Sequence, residues 1–217
     1  MIELWPFQQR VLEQTQRALR SHKRLCLVLP TGSGKTCVSG AISQRLASEL
    51  RGREGGVALY LVHRHELIRQ TANTLDAVGL KGQYGVIAAG WPSAPWAPMQ
   101  IASIPTLRRR LDKIKQWLDP AVLFIDEAHH ARAETWERVI QTFPNAFIIG
   151  LTATPCRLDG KGLASIFDKL ILGPQISELI PEYLAPVRTF RIPPKYEIRK
   201  NYTCLLYTSD APTICSV

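Results

Sequence analysis

One short segment constrains this chain more than any other. An apolar run, Leu25 to Leu29, leads directly into Pro30-Thr31-Gly32-Ser33-Gly34-Lys35-Thr36, and a longer stretch of helical character follows at once. A buried strand that turns through two glycines into a helix belongs to an α/β layer structure. The glycines let backbone N–H groups turn inward around phosphate oxygens, and the helix N-terminus behind them adds a positive dipole end. In such a loop Thr31, Gly32, Ser33 and Gly34 form the cradle. Lys35 reaches the β- and γ-phosphates, and the Thr36 hydroxyl holds Mg2+. Leu29 departs from the strict pattern, where glycine is usual.

The rest of the chain alternates in the same way. Apolar runs at Leu25–Leu29, Val57–Val62, Tyr84–Ala88, Met99–Ser103, Ala121–Ile125 and Ala146–Leu151 read as strands. Helical periodicity occupies Phe7–Arg20, Gly34–Leu50, Glu66–Val78, the stretch around Leu107 to Leu118, and Thr135–Thr142. Short apolar strands separated by amphipathic helices predict a doubly wound, mostly parallel sheet with helices on both faces. We place that domain at residues 1–180. Residues 181–203 are Pro-rich and extended, as a linker is. Gly90 to Pro98 holds three prolines with Trp91 and Trp96, an irregular loop whose rings either stack on bases or, the favoured reading, pack on the domain surface. Cys204-Leu205-Leu206-Tyr207-Thr208-Ser209 matches one translated frame of a transposase-adaptor end. Residues 204–217 are therefore read as non-native read-through, with a native strand as the alternative.

Composition narrows the class further. With 46% hydrophobic and 21% charged residues, the 217-residue chain is neither a disordered tail nor a fibre. No apolar run is long enough to span a bilayer, and no signal-like core follows Met1, so a cytoplasmic protein without a membrane partner is expected. Five scattered cysteines without CxxC spacing point to reduced thiols. Lys+Arg exceeds Asp+Glu by 27 to 18, a net charge of +9 that points to a polyanionic partner, nucleic acid before membrane, with a merely solvated basic surface as the open alternative.

A second constellation lies at Asp126-Glu127-Ala128-His129, directly after the apolar strand Ala121 to Ile125. A strand ending in two acids delivers carboxylates to the carboxyl edge of the sheet, where the phosphate loop also sits. Asp126 can hold Mg2+ through water, and Glu127 can orient or deprotonate the attacking water. Adjacent His129 and His130 without further spaced ligands are weak grounds for a metal site.

Asp126-Glu127-Ala128-His129 spells the DEAH box, and the chain resembles superfamily 2 helicases and translocases from about Leu4 to about Arg191. Gly150-Leu151-Thr152-Ala153-Thr154-Pro155 is similar to their motif III, which implies that Thr152 and Thr154, with His129, couple the nucleotide site to nucleic acid. Leu61 to Gln70 is similar to motif Ia, which implies a backbone-contacting role for Arg64. Ile101 to Leu107 is similar to motif Ib, with Ser103 and Thr106 as phosphate donors. Trp5-Pro6-Phe7-Gln8 resembles the adenine-reading element, with Gln8 on the base and Trp5 where arginine is common. Gly150 to Asp168 and Tyr183 to Pro186 look closest to RadD-like bacterial and phage enzymes, which implies DNA, duplex or branched, rather than RNA.

Blander readings stand beside these. Gln8 can cap the first helix, Arg64 can be a solvated arginine, and Arg108, Arg109 and Arg110 cannot all face one way on a helix. The expected parent is an ATP-dependent DNA helicase or translocase using Mg·ATP, with this chain as its N-terminal RecA-like motor domain. Alternatives are the translocating part of a type I restriction complex and a nucleotide-regulated DNA-binding module without turnover. The resemblance places the arginine fingers on a second RecA-like domain.

Overall fold

The computed structural model describes residues 3–49, 58–130, 133–154, 163, 166–186, 203–208 and 211–216. Leu50, Val57 and Pro155, which fall at the ends of expected elements, lie outside these residues, as do most of 181–203 and the side chains of His130 and the tail.

Seven strands form one sheet: β1 (Arg24–Val28), β2 (Ala58–Val62), β3 (Tyr84–Ile87), β4 (Met99–Ser103), β5 (Val122–Asp126), β6 (Phe147–Thr152) and β7 (Lys169–Leu172). Their spatial order is β3-β4-β2-β5-β6-β1-β7, and every neighbouring pair is parallel. Parallel neighbours need crossovers, which the helices supply. They are α1 (Pro6–Leu19), α2 (Lys35–Glu49), α3 (His65–Ala77), α4 (Ile104–Ile114) and α5 (Ala133–Thr142).

Side chains alternate along each strand, so every strand but β7 feeds two cores. Leu25, Leu27, Tyr60, Val62, Phe124 and Leu151 join the core that also holds Val11, Val38 and Ile68 of α1, α2 and α3. Cys26, Leu59, Leu61, Leu123 and Ile125 join the opposite one, with Leu107, Leu111 and Val139 of α4 and α5. Both faces are covered, and the doubly wound expectation holds. It also explains why the strands read as continuous apolar runs instead of alternating ones.

β7 is not signalled by the sequence. It has four residues, lies at the sheet edge beside β1, and leaves Leu170 and Leu172 exposed, so its pattern is no stronger than that of a loop. The Gly90–Pro98 loop corrects an expectation: Trp91 packs against the first core, but Trp96 is 80% exposed. Buried Gln100 on β4 fastens this loop, its Nε2 donating to the carbonyls of Ala94 (2.9 Å) and Ala97 (3.1 Å). Arg108, Arg109 and Arg110 are all solvent-facing.

The chain divides into two compact units, Met1–Gly173 and Pro174–Val217. Within the second, α6 (Ile176–Leu179) precedes an antiparallel pair, β8 (Thr203–Thr208) and β9 (Ala211–Ser216). No helix among the described residues is long and apolar enough to cross a membrane.

Candidate nucleotide site and nucleic-acid edge

A parallel sheet collects the carboxyl ends of its strands at one edge. Across that edge, in strand order, lie Ser103 at the end of β4, Arg64 after β2, Asp126 at the end of β5, Thr152 at the end of β6, and the phosphate loop after β1. Register aligns them: Val62 pairs with Ser103, Asp126 with Leu151, and Val28 with Thr152. Residues spread over more than a hundred positions thus form one row, with neighbouring strands about 5 Å apart.

The phosphate loop is tightly built. Gly32 and Gly34 have φ of 83° and 78°, left-handed conformations that side chains resist. A Cβ on Gly34 would meet Gln8 Nε2 at 2.5 Å, so a side chain there would displace Gln8 from the loop. Ser33 Oγ donates to the Pro30 carbonyl at 2.7 Å, and Leu29 N–H donates to Thr152 O at 2.8 Å, tying the loop to β6. Leu29, in the place of the usual glycine, is fully buried beside Gly173, where a Cβ would strike it. Its burial contributes about 2 kcal/mol that glycine would not.

Gln8 is buried at the start of α1. Its Oε1 accepts from Trp5 N–H at 2.9 Å and its Nε2 donates to the Ser33 carbonyl at 2.8 Å. The side chain thus caps the helix and clasps the phosphate loop together, with one N–H left over. Either sequence reading of Gln8 alone misses this link, since nothing local relates Gln8 to Ser33.

Lys35 Nζ lies 3.3 Å from both the Leu29 and Pro30 carbonyls. Burial pulls its pKa down, while the carboxylates of Glu127 and Asp126 act in the opposite direction. Those two acids arrive where expected. Asp126 closes β5, and Glu127 follows with φ 49°, a left-handed turn that the sequence does not disclose. Glu127 N–H donates to Asp126 Oδ1 at 3.0 Å. Burial and the Glu127 charge push Asp126 up to about 6, against a backbone hydrogen bond and Lys35. Carboxylate and hydroxyl oxygens from Asp126 and Thr36, beside a lysine, suit a hard cation accompanying phosphates.

His129 joins the acids to β6. Its Nδ1 is 2.9 Å from Thr152 Oγ1 and 3.3 Å from Glu127 Oε2. Thr152 Oγ1 donates its own proton to Thr154 O (2.8 Å) and accepts from Thr154 N–H (3.1 Å). The network therefore assigns the histidine proton to Nδ1, shared between Thr152 and Glu127. On the other flank, Arg64 is exposed at the N-cap of α3. Ser103 is buried and donates to Thr106 Oγ1 at 2.9 Å, so of this pair Thr106 is the outward hydroxyl.

Asp126→Asn should expose the cost of this arrangement. A carboxyl whose pKa is about 6 folded, against an ordinary 3.8, stabilises the fold fully below that lower value and loses the contribution as pH rises through 6. Without ligand, Asp126→Asn is expected to gain roughly 1–2 kcal/mol at pH 8, after allowance for solvent screening. That is about 2–8 °C in Tm, with no such gain at pH 4. Thermal unfolding at the two pH values measures it.

The model of the type III restriction enzyme res subunit matches residues 1–157. The chain belongs to this family. Among its curated relatives, IRC3 of Saccharomyces cerevisiae (strain S288c), provisionally named an ATP-dependent helicase, is 30% identical over 192 residues, covering 81% of this chain and 27% of that protein. The DNA 3'-5' translocase XPB2 of Sulfurisphaera tokodaii is 27% identical over 191 residues, covering 87% and 38%. In fold, the UvsW helicase of bacteriophage T4 superposes with a TM-score of 0.62 at 19% identity, covering 79% of this chain and 60% of that one. The domain is a first RecA-like domain of the superfamily 2 helicase type. It spans between 27% and 38% of the length of the curated relatives it matches.

Proposed function

We propose that this chain is the nucleotide-binding half of an ATP-driven DNA motor. The observation that carries this reading is the meeting, at one sheet edge, of the Lys35 loop with Asp126 and Glu127, close enough for their charges to act on one another. In the proposed reaction Thr31 to Gly34 wrap the nucleotide phosphates with backbone N–H groups, and the Lys35 amine leaves the loop carbonyls for phosphate oxygens. Thr36 and Asp126 would hold Mg2+, which when bound offsets negative charge on the phosphates. Glu127 orients the attacking water and accepts its proton. His129, bonded to both Glu127 and Thr152, relays the state of that acid to β6 and Thr154.

The nucleic-acid side of the edge is read at Arg64 and Thr106, after β2 and β4, on the side of β5 away from the phosphate loop. DNA is favoured by the +9 net charge and by the naming of XPB2 as a DNA translocase. The res-subunit match supports a second setting, the ATP-driven part of a restriction assembly. A nuclease motif elsewhere in the parent gene distinguishes the two. The test of the motor reading is ATPase activity of the complete parent protein with and without duplex DNA. Strong stimulation is expected, and turnover indifferent to DNA would overturn the reading.

A further inference from the structure

Tyr60, in the middle of β2, is fully buried, and its hydroxyl finds no hydrogen-bond partner of good geometry among the described residues. A buried orphan hydroxyl costs free energy that phenylalanine at the same place would not. The ring itself is well placed. It stacks on Phe124, which opposes it in the β2–β5 register, with centroids 5.9 Å apart and planes 27° from parallel. Phe124 and Asp126 lie two apart on β5 and so share a face.

The groups around the phenol are those of the proposed cation site. The hydroxyls of Thr36 and Ser39, in the first turns of α2, are within reach of it, and Asp126 and Glu127 are the charges nearby. Burial and those charges push its pKa up, so the phenol keeps its proton. Ser39 Oγ already donates to the Thr36 carbonyl at 2.9 Å, which leaves its lone pairs to accept.

We propose that Tyr60 is a positioning residue for Mg2+, orienting the Thr36 hydroxyl from beneath. A threonine oxygen that faces a cation must turn its proton away, and that proton needs an acceptor. The Tyr60 oxygen accepts that hydrogen bond, and the phenol, keeping its own proton, donates in turn to Ser39 Oγ. Ser39 in turn donates to the Thr36 backbone, as observed. Three hydroxyls then fix one rotamer, and the orphan is satisfied only when the threonine is in its ligating orientation. The inference rests on the reading of Thr36 as a cation ligand.

The test is titration of the 217-residue chain with a fluorescent ATP analogue over a series of Mg2+ concentrations and in EDTA. Tyr60→Phe keeps the ring stack, so its thermal midpoint should equal or exceed that of the wild type. Its affinity in EDTA should match the wild type, while the Mg2+ concentration for half-maximal binding rises about tenfold, as for a lost outer partner of a metal ligand. A merely structural tyrosine would move both conditions together or neither. Unchanged Mg2+ dependence in Tyr60→Phe, with Thr36→Ala shifted, overturns the tyrosine's role alone. Unchanged dependence in Thr36→Ala overturns the reading of the cation site as well.

Discussion

Steady-state assays of the 217-residue chain are expected to show ATP hydrolysis barely above background, with little or no stimulation by duplex DNA. Phosphoryl transfer is accelerated chiefly by positive charge set against the developing transition state, and an arginine finger supplies on the order of 10³–10⁵ in rate. The site described above brings one lysine, Lys35, to the phosphates from this domain. The family resemblance places the arginines on a second RecA-like domain. Deleting Cys204 to Val217 should change neither folding nor nucleotide binding, since the nucleotide loop and both acids lie within the unit Met1–Gly173. Strong DNA-stimulated turnover by the chain alone would show that the half-site account is wrong.

The second large effect concerns Glu127. In the complete parent protein, Glu127→Gln should bind Mg·ATP as tightly as the wild type and lose hydrolysis by about 10²–10⁴, the usual share of a general base. The amide preserves the left-handed turn at φ 49° as well as glutamate does, and it still accepts from His129. What it lacks is a carboxylate to take the proton of water. Binding titration and single-turnover hydrolysis on one preparation separate the two properties. Hydrolysis at the wild-type rate would move the base to another residue.

Much of this molecule is legible along the chain because its strands are buried on both faces. Runs such as Leu25–Leu29 and Ala121–Ile125 are apolar without interruption, as the strands of a parallel sheet between two helix layers are. Lys35 and Thr36 are legible because a glycine-bearing loop joins such a run to a helix, and Asp126 and Glu127 because the pair follows such a run at once. β7 is different, since an edge strand exposing Leu170 and Leu172 carries no buried pattern to read. The clasp from Gln8 to Ser33, the bond from His129 to Thr152 and the nearness of Tyr60 to Thr36 and Asp126 depend on strand order. Nothing in local sequence states that β1 lies between β6 and β7, or that β2 lies beside β5. The left-handed Glu127 is hidden for another reason: a non-glycine residue there is set by its surroundings and not by its own preference.

Calorimetric titration of the chain and of Lys35→Ala with ATP and Mg2+ tests the central claim most directly. The amine faces the loop carbonyls and is only partly buried, so its removal should leave the thermal unfolding midpoint near that of the wild type. The account predicts measurable Mg·ATP binding by the wild-type chain and a loss on the order of a hundredfold or more in Lys35→Ala, a charge-assisted phosphate contact having been removed. A folded Lys35→Ala chain that binds Mg·ATP with unchanged affinity would contradict it.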